Sequence, residues 1–524
     1  MARYKPYDFS QSKLIPVQFD RQVVPGTFEY TLAYLVEHEC DLSWFEERYR
    51  NDETGAPAYA PAILLTIILF AYSRGITSSR AIARACEENV VFMALSADTR
   101  PHFTTIASFI ASMGDGASQL FRDVLLVCDE QGLIGREMFA VDGVKLPSNA
   151  SKEWSGTRAD FKRKAKKMEK AVEVLMSRHR NTDAAMKEGR GGDGSGDGGL
   201  SEREARTKAT LEGKLAKVRR WLDEGEEKIG RRGKPVKSNL TDNDSAKMAS
   251  SHGVIQGDVG VTVVDERHQV IVNAEAFGEA QEQAMLRPML EGVRERLPGI
   301  KGNDVLHEAS VSADSGFHTN ANVRWLADEG IDGYLADNRM RKRDPRFQDA
   351  AHHNPGKPMW GYDKTPEKAT LYTPADFEYD AALGRCWCPA GKELRVSFRG
   401  TQDEREAVCF RGTVETCGQC DQRDRCLRHP ERTPARQVTF FGATLPTRTR
   451  ELVQRMKDKV DSTAGRAKYG LRLATAEPPF ANICQTLGLR RFSLRGRDKV
   501  NAQWLLFTMV HNIGKLNRYG YADG

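Results

Sequence analysis

Residues 259 to 274 constrain this chain more than any other stretch: two β-branched runs, Val259 to Val264 and Gln269 to Ala274, flank the polar tetrapeptide Asp265-Glu266-Arg267-His268. Branched side chains suit a pleated, half-buried surface, and a short polar break between two such runs is the pattern of an antiparallel hairpin. At least one sheet must therefore form. A short apolar run, Met138-Phe139-Ala140-Val141, closes on Asp142-Gly143 and reads as a buried strand reaching a turn. Further strands are expected at Ala309 to Ala313, ending in Asp314-Ser315-Gly316, and at Gly333 to Ala336. Helical patterns at Gln281 to Arg296 and Asn320 to Glu329 alternate with them, which gives a mixed α/β core.

The first 130 residues differ in texture, with apolar positions at helical spacing through Phe28 to Leu42, Ile63 to Tyr72, Ala81 to Leu95 and Ile106 to Val127. A compact helical domain is the plain reading; Thr77 to Leu95 would also accommodate a helix-turn-helix, although helix pairs that simply pack together are commoner. The most apolar run, Ala58 to Ser73, is shorter than the ~20 residues that span a bilayer and is read as a buried core helix. The N-terminus MARYKPYDFSQSK lacks the apolar stretch of a secretory signal, so a cytoplasmic protein with reduced thiols and no membrane partner is expected.

Between the first strand and the hairpin lies a charged interruption. Met168, Val172 and Leu175, then Leu211, Leu215, Val218 and Leu222, recur at alternating four- and three-residue steps, so an antiparallel helical hairpin is expected over 158 to 232. Its two arms are separated by Gly189 to Gly199. GGDGSGDGG is read as a connection and not as a phosphate loop, because no Lys-Ser/Thr pair follows it. Net charge is only +6, from 78 Lys+Arg against 72 Asp+Glu, yet residues 158 to 190 hold 11 basic against 5 acidic residues and 490 to 499 hold 5 against 1. Local basic stretches favour polyanionic partners.

Asp142 and Asp314 each end an expected strand and precede a glycine. A carboxylate held there by rigid backbone suits sharing a hard divalent cation with a phosphate; taken singly, an Asp opening a turn is the commoner reading of each. A third carboxylate, Glu477, borders a C-terminal apolar stripe of Tyr469, Leu473, Ala476, Phe480, Ile483 and Leu487. Pro478-Pro479 is expected to break the helix there, or to restart it with Glu477 at the new N-terminus. Arg490, Arg491, Arg495, Arg497 and Lys499, with Phe492 and Trp504 nearby, suit phosphate tracking with base stacking. Six of the ten cysteines, Cys386, Cys388, Cys409, Cys417, Cys420 and Cys426, fall within 41 residues. CxC and CxxC pairs on turns present tetrahedral zinc, and four of the six would suffice, with the choice of four left open.

FAVDGVKLPSNASK around Asp142, SADSGFHTNANVRWLADEGIDGYLADN around Asp314 and YGLRLATAEPPFANICQTLGLRRFSLRG around Glu477 resemble the blocks of DDE transposases of bacterial insertion sequences. SNLTDNDSAKM, the closing WLLFTMVHNIGKL and the leading PHFTTIASF extend the likeness over most of the chain. The resemblance implies an RNase H-like mixed sheet with flanking helices, an all-α N-terminal domain and two insertions. It also implies a catalytic Asp142, Asp314 and Glu477 holding two Mg²⁺ or Mn²⁺ ions, with Tyr469 and Arg472 as DNA-binding residues upstream of the Glu. Similar Cys-rich inserts occur between the second Asp and the Glu in related transposases. The expected partition is a helical DNA-end-binding domain over 1–133, a core in three parts (134–157, 236–337 and 438–524), and insertions at 158–235 and 338–437. The expected partners are double-stranded DNA, as element ends and target, and further copies of the chain. Two other readings stay open: a DNA-binding derivative without catalysis, and a metal-dependent nuclease without strand transfer.

Overall fold

The computed structural model describes residues 16–47, 57–187, 201–230, 235–250, 253–344, 371–402, 405–442 and 447–520. The glycine-rich 189–199 connection lies outside the described residues. The chain divides into two compact units, Met1–Val311 with Leu471–Gly524, and Ser312–Gly470.

The longer helices at the start of the first unit are α1 (Phe28–His38), α2 (Pro61–Ser73), α3 (Ser79–Glu88), α4 (Val90–Leu95), α5 (Phe103–Ala111) and α6 (Gly116–Glu130). Every residue of α2 from Leu64 to Tyr72 is buried, so its unbroken apolar run reflects burial on all sides. Among the described residues no helix is long and apolar enough to cross a membrane. In the Thr77–Leu95 stretch, α3 and α4 are separated by Asn89 alone, whose side chain accepts the amides of Val91 and Phe92 and starts α4.

The sheet follows. β1 (Met138–Pro147) lies antiparallel to β3 (Gly253–Asp265), with Asp142 opposite Thr262. The far edge of β3 takes β2 (Ala246–Ser250) along its first residues and β4 (Ile271–Phe277) along the rest. The β3–β4 pair is the expected hairpin. Between β1 and β2, α7 (Arg158–Lys187) and α8 (Glu202–Glu224) form the expected antiparallel helical pair. Phe161, Ala165, Leu215 and Val218 make its small core, the Phe161 and Trp221 rings meet at its base, and Arg219 bonds Glu169 at 2.7 Å.

α9 (Leu286–Arg296) covers β4, and β5 (Ser310–Ala313) begins beside β1, where Ser310 N–H donates to Glu137 O. The last helix, α13 (Arg497–Lys515), is buried from Ala502 to Ile513 and closes the unit: Trp504 Nε1 donates to Val261 O at 3.2 Å and Phe507 stacks on Tyr72 of α2.

The second unit takes up the end of β5, then α10 (Asn320–Asp328) and β6 (Gly333–Leu335). A separate five-stranded antiparallel sheet follows, in the order β11-β10-β9-β8-β7: β7 (Glu378–Asp380), β8 (Arg385–Trp387), β9 (Glu393–Gln402), β10 (Arg405–Arg411) and β11 (Gln437–Phe441). α11 (Thr447–Asp461) and the start of α12 (Thr463–Ala481) complete it. The architecture is mixed α/β, in agreement with the sequence.

Candidate active site

Asp142 does not end its strand. β1 runs five residues further, to Pro147, because Gly143 pairs with Val261 in the ladder and does not turn. A Cβ at Gly143 would lie 3.1 Å from Val259 Cγ1, so the glycine serves close strand approach. Asp142 thus projects from mid-strand, rigidly held and one-fifth exposed. Its Oδ1 accepts the Gly143 N–H at 2.8 Å and its Oδ2 accepts from Arg472 Nη1 at 2.8 Å. The guanidinium is buried against the carboxylate, a charge-assisted contact stronger than a neutral hydrogen bond.

Arg472 belongs to α12, which also carries Glu477. Ala476, one turn after Arg472, is fully buried against Met138 and Ala140 of β1; its single methyl lets the helix lie close to the strand. Glu477 is next in sequence and exposed. The expected apolar stripe holds at Ala476, Ile483 and Leu487, which are buried, but Leu473 is 42% exposed.

The double proline does not break the helix. α12 continues through Pro478 and Pro479 to Ala481 and passes into a wider turn at Asn482–Thr486. Proline at 478 removes the N–H that would bond the carbonyl of Ala474. That carbonyl instead accepts Gln269 Nε2 at 3.0 Å. Gln269 sits in the β3–β4 turn at φ 59°, and its side-chain oxygen accepts from Lys515 Nζ at 3.1 Å. Its backbone oxygen faces His511 Nε2 at 2.9 Å, and His511 Nδ1 faces Asn482 Nδ2 at 3.0 Å. The carbonyl can only accept, so Nε2 donates and Nδ1 accepts from the amide, which fixes the neutral tautomer. Burial pushes the His511 imidazole down to about 4, consistent with that assignment. Gln269, Asn482 and His511 escaped sequence reasoning; the only local signal was the double proline, whose orphaned carbonyl needs an outside donor.

Asp314 directly follows β5, as expected, in the second unit; its Oδ1 accepts the Gly316 N–H at 2.8 Å, closing a side-chain turn. Tyr469 lies in that unit too, half-buried. The structure therefore brings Asp142 and Arg472 together, with Glu477 on the helix packed against Asp142's strand. Among the described residues no group of three His, Cys, Asp or Glu side chains is set to hold a metal ion.

Arg490, Arg491, Arg495, Arg497 and Lys499 are all exposed. Arg491 donates to Ser148 O, Arg495 to Asn149 O at 2.7 Å, and Arg497 pairs with Glu275 at 3.1 Å, so the basic segment is anchored beside the end of β1. Phe492 and Trp504 are fully buried and do not offer base-stacking faces. Aromatic spacing alone did not distinguish core from surface.

A second acidic group underlies this segment. Asp242 and Asp258 are buried, and each leaves Oδ2 without a hydrogen-bond partner among the described residues. Burial pushes the Asp258 carboxyl up to about 7; nearby Asp242 and Asp244 add to the rise and Lys228 opposes it. Asp242 Oδ1 receives the Gly496 N–H at 3.3 Å.

No curated protein matches the chain. Two family models do. One, described as a transposase DDE domain, covers residues 387–517 and so includes the Cys-rich sheet from the end of β8 onward, Arg472 and Glu477. The other, described as a transposase domain (DUF772), covers residues 17–112, the stretch of α1 to α5. A transposase model is thus matched near each end of the chain, which supports a DDE transposase of the insertion-sequence type.

Proposed function

We propose that this transposase binds the terminal inverted repeats of its element, cleaves phosphodiester bonds and joins the freed 3′-ends to target DNA. One observation carries the reading furthest: a mid-strand carboxylate, Asp142, is already balanced by a buried guanidinium from the helix that bears Glu477. Such a position is built to hold charge. Carboxylate oxygens are the donor set of a hard divalent cation, and Asp142, Asp314 and Glu477 are the residues that would hold Mg²⁺ or Mn²⁺. Two such ions, when bound, supply Lewis acidity to the attacking and leaving oxygens.

The chain's own groups do the rest. Arg472 offers a planar, permanently charged fork to a DNA phosphate, and in doing so releases Asp142 for a cation. Tyr469 and the anchored run Arg490, Arg491, Arg495, Arg497 and Lys499 hold the backbone of the duplex. In this reading the N-terminal helices, 1–133, recognise the element end, 158–235 and 338–437 are insertions in the core, and two DNA ends are held by an oligomer.

The test is cleavage of a labelled duplex carrying the element end beside a supercoiled target, with Mg²⁺, Mn²⁺ or EDTA. Metal-dependent cutting and joining, lost in Glu477→Gln with binding retained, is the expected result. Cutting without joining points to a nuclease, and binding without cutting under every metal condition to a non-catalytic DNA-binding protein; either overturns the proposal.

A further inference from the structure

The structure sorts the six clustered cysteines into two kinds. Cys386 lies on β8, fully buried with Phe377, Leu394, Phe410 and Val438. Cys409 lies on β10, also buried, opposite Phe398 and Thr439 in the ladders. Each of these sulfurs makes only a long contact to the carbonyl of the next residue, at 3.9 and 4.0 Å. They act as small core hydrophobes.

The other four, Cys388, Cys417, Cys420 and Cys426, line one cavity of about 30 Å³. That volume admits one or two water-sized bodies, the scale of a single ion. All four are half-buried and reduced. Each sits on a turn or at the end of a short helix. Cys388 follows β8 in a tight turn in which its N–H donates to Lys392 O and the Gly391 N–H returns to Cys388 O, with Gly391 at φ +69°. The Lys392 N–H then points at Cys388 Sγ, 3.4 Å away. A backbone amide aimed at sulfur orients it. Cys417 lies in the short helix Val414–Gly418 and Cys426 ends the short helix Arg423–Cys426, with Cys420 in the turn between them.

Two guanidiniums line the same cavity and are tied to the backbone of the sulfur-bearing residues. Arg423 donates to Cys417 O at 2.6 Å and also to Pro430 O and Thr433 O; Arg436 donates to Cys426 O at 3.1 Å and to Tyr372 O at 2.9 Å. The Nε of Arg436 is buried with no acceptor among the described residues. Four thiolates around a divalent ion carry two net negative charges, which fixed arginines would offset.

We propose that Cys388, Cys417, Cys420 and Cys426 bind one structural Zn²⁺ that pins the edge of the five-stranded sheet to the turns between β10 and β11. An all-thiolate set selects a soft or borderline ion over the hard ions suited to Asp142, Asp314 and Glu477. The sheet has reason to need it, since its main core cluster is small: Phe377, Cys386, Leu394, Phe410 and Val438. The sulfurs stand around the cavity without forming a closed metal group, so binding draws them inward and is coupled to ordering of the turns. Nothing in this site depends on the DNA chemistry proposed above.

The test is metal analysis of the full chain purified without chelator. About one zinc per chain is expected, retained in Cys409→Ala and lost in Cys417→Ser/Cys420→Ser. Because the double variant would also lose zinc by misfolding, the wild-type protein is titrated with a mercurial in the presence of a zinc indicator; release of the ion as about four thiols react is expected. Zinc below half an equivalent, zinc retained in the double variant, or iron as the resident ion would overturn the proposal.

Discussion

The two sheets of this protein are stabilised by different means. The larger, around β1, β3 and β4, has valines buried at 259, 261, 263 and 264 and is closed by α13, whose Trp504 ring lies against Gly260. The smaller, β7 to β11, has a core cluster of five buried residues and leaves Val396 and Phe441 about two-fifths exposed. A sheet with a helix across it can carry charged groups such as Asp142 at its centre without losing its fold. A sheet with so little core leans more on polar contacts at its turns, such as those of Arg423 and Arg436 with backbone carbonyls.

That contrast can be broken from either side. The largest expected effect is catalytic: Asp142→Asn should lower cleavage by on the order of 10³-fold or more, with a smaller fall in the thermal transition of the large sheet because the buried Arg472 guanidinium loses its counter-charge, read by single-turnover cleavage beside calorimetry. A transition shifted as far as the activity would make Asp142 a structural residue. Trp504→Ala should cost about 3–5 kcal/mol in urea unfolding, because it empties a fully buried site and orphans the Val261 carbonyl, yet should not change the zinc content of the small sheet.

A third measurement uses pH. The Asp258 carboxyl sits at about 7 in the fold against an ordinary 3.8. A raised carboxyl keeps its proton in the folded state while the unfolded chain releases it, so stability is greatest below pH 4, falls as pH rises through the window to about 7, and is level above it. Asp258→Asn removes that slope, so its stability relative to wild type should improve by up to a few kcal/mol between these limits, with Asp242, Asp244 and Lys228 unchanged. Parallel pH profiles would refute the assignment. The smallest effect is Gln269→Ala, which should cost about 0.5–1 kcal/mol by removing the hydrogen bond to the exposed Ala474 carbonyl. If Glu477 acts in cleavage, the same change should lower turnover more than DNA affinity; equal losses would separate Gln269 from the site.

Sequence reading reached the hairpin because Val and Ile runs on both sides of a polar break leave few alternatives, and it reached the helical pair through the four- and three-residue steps of its leucines. It placed Asp142 at a strand end because Asp-Gly is a turn signal; only the pairing of Gly143 with Val261 shows that the glycine here serves close packing. It expected Pro478-Pro479 to interrupt the helix because the compensating donor, Gln269, lies two hundred positions away and is brought in by the hairpin. The six cysteines gave a chemistry but no ligand set, since the division into core and cavity-lining thiols exists only once β8 and β10 are paired into the sheet.

The asparagines of α13 have a consequence beyond stability. β4 pairs with β3 on one side only. On its other side, the Asn512 amide donates to Ile271 O and accepts from Ile271 N–H, while Asn501 Oδ1 accepts the Ala276 N–H. Eleven residues are about three helical turns, so both amides fall on one face of α13 and meet the two ends of β4. Each mimics a fragment of a neighbouring strand and takes up the hydrogen-bonding groups through which a bare edge recruits another chain. Copies of the chain that meet are thereby kept from joining edge to edge through β4.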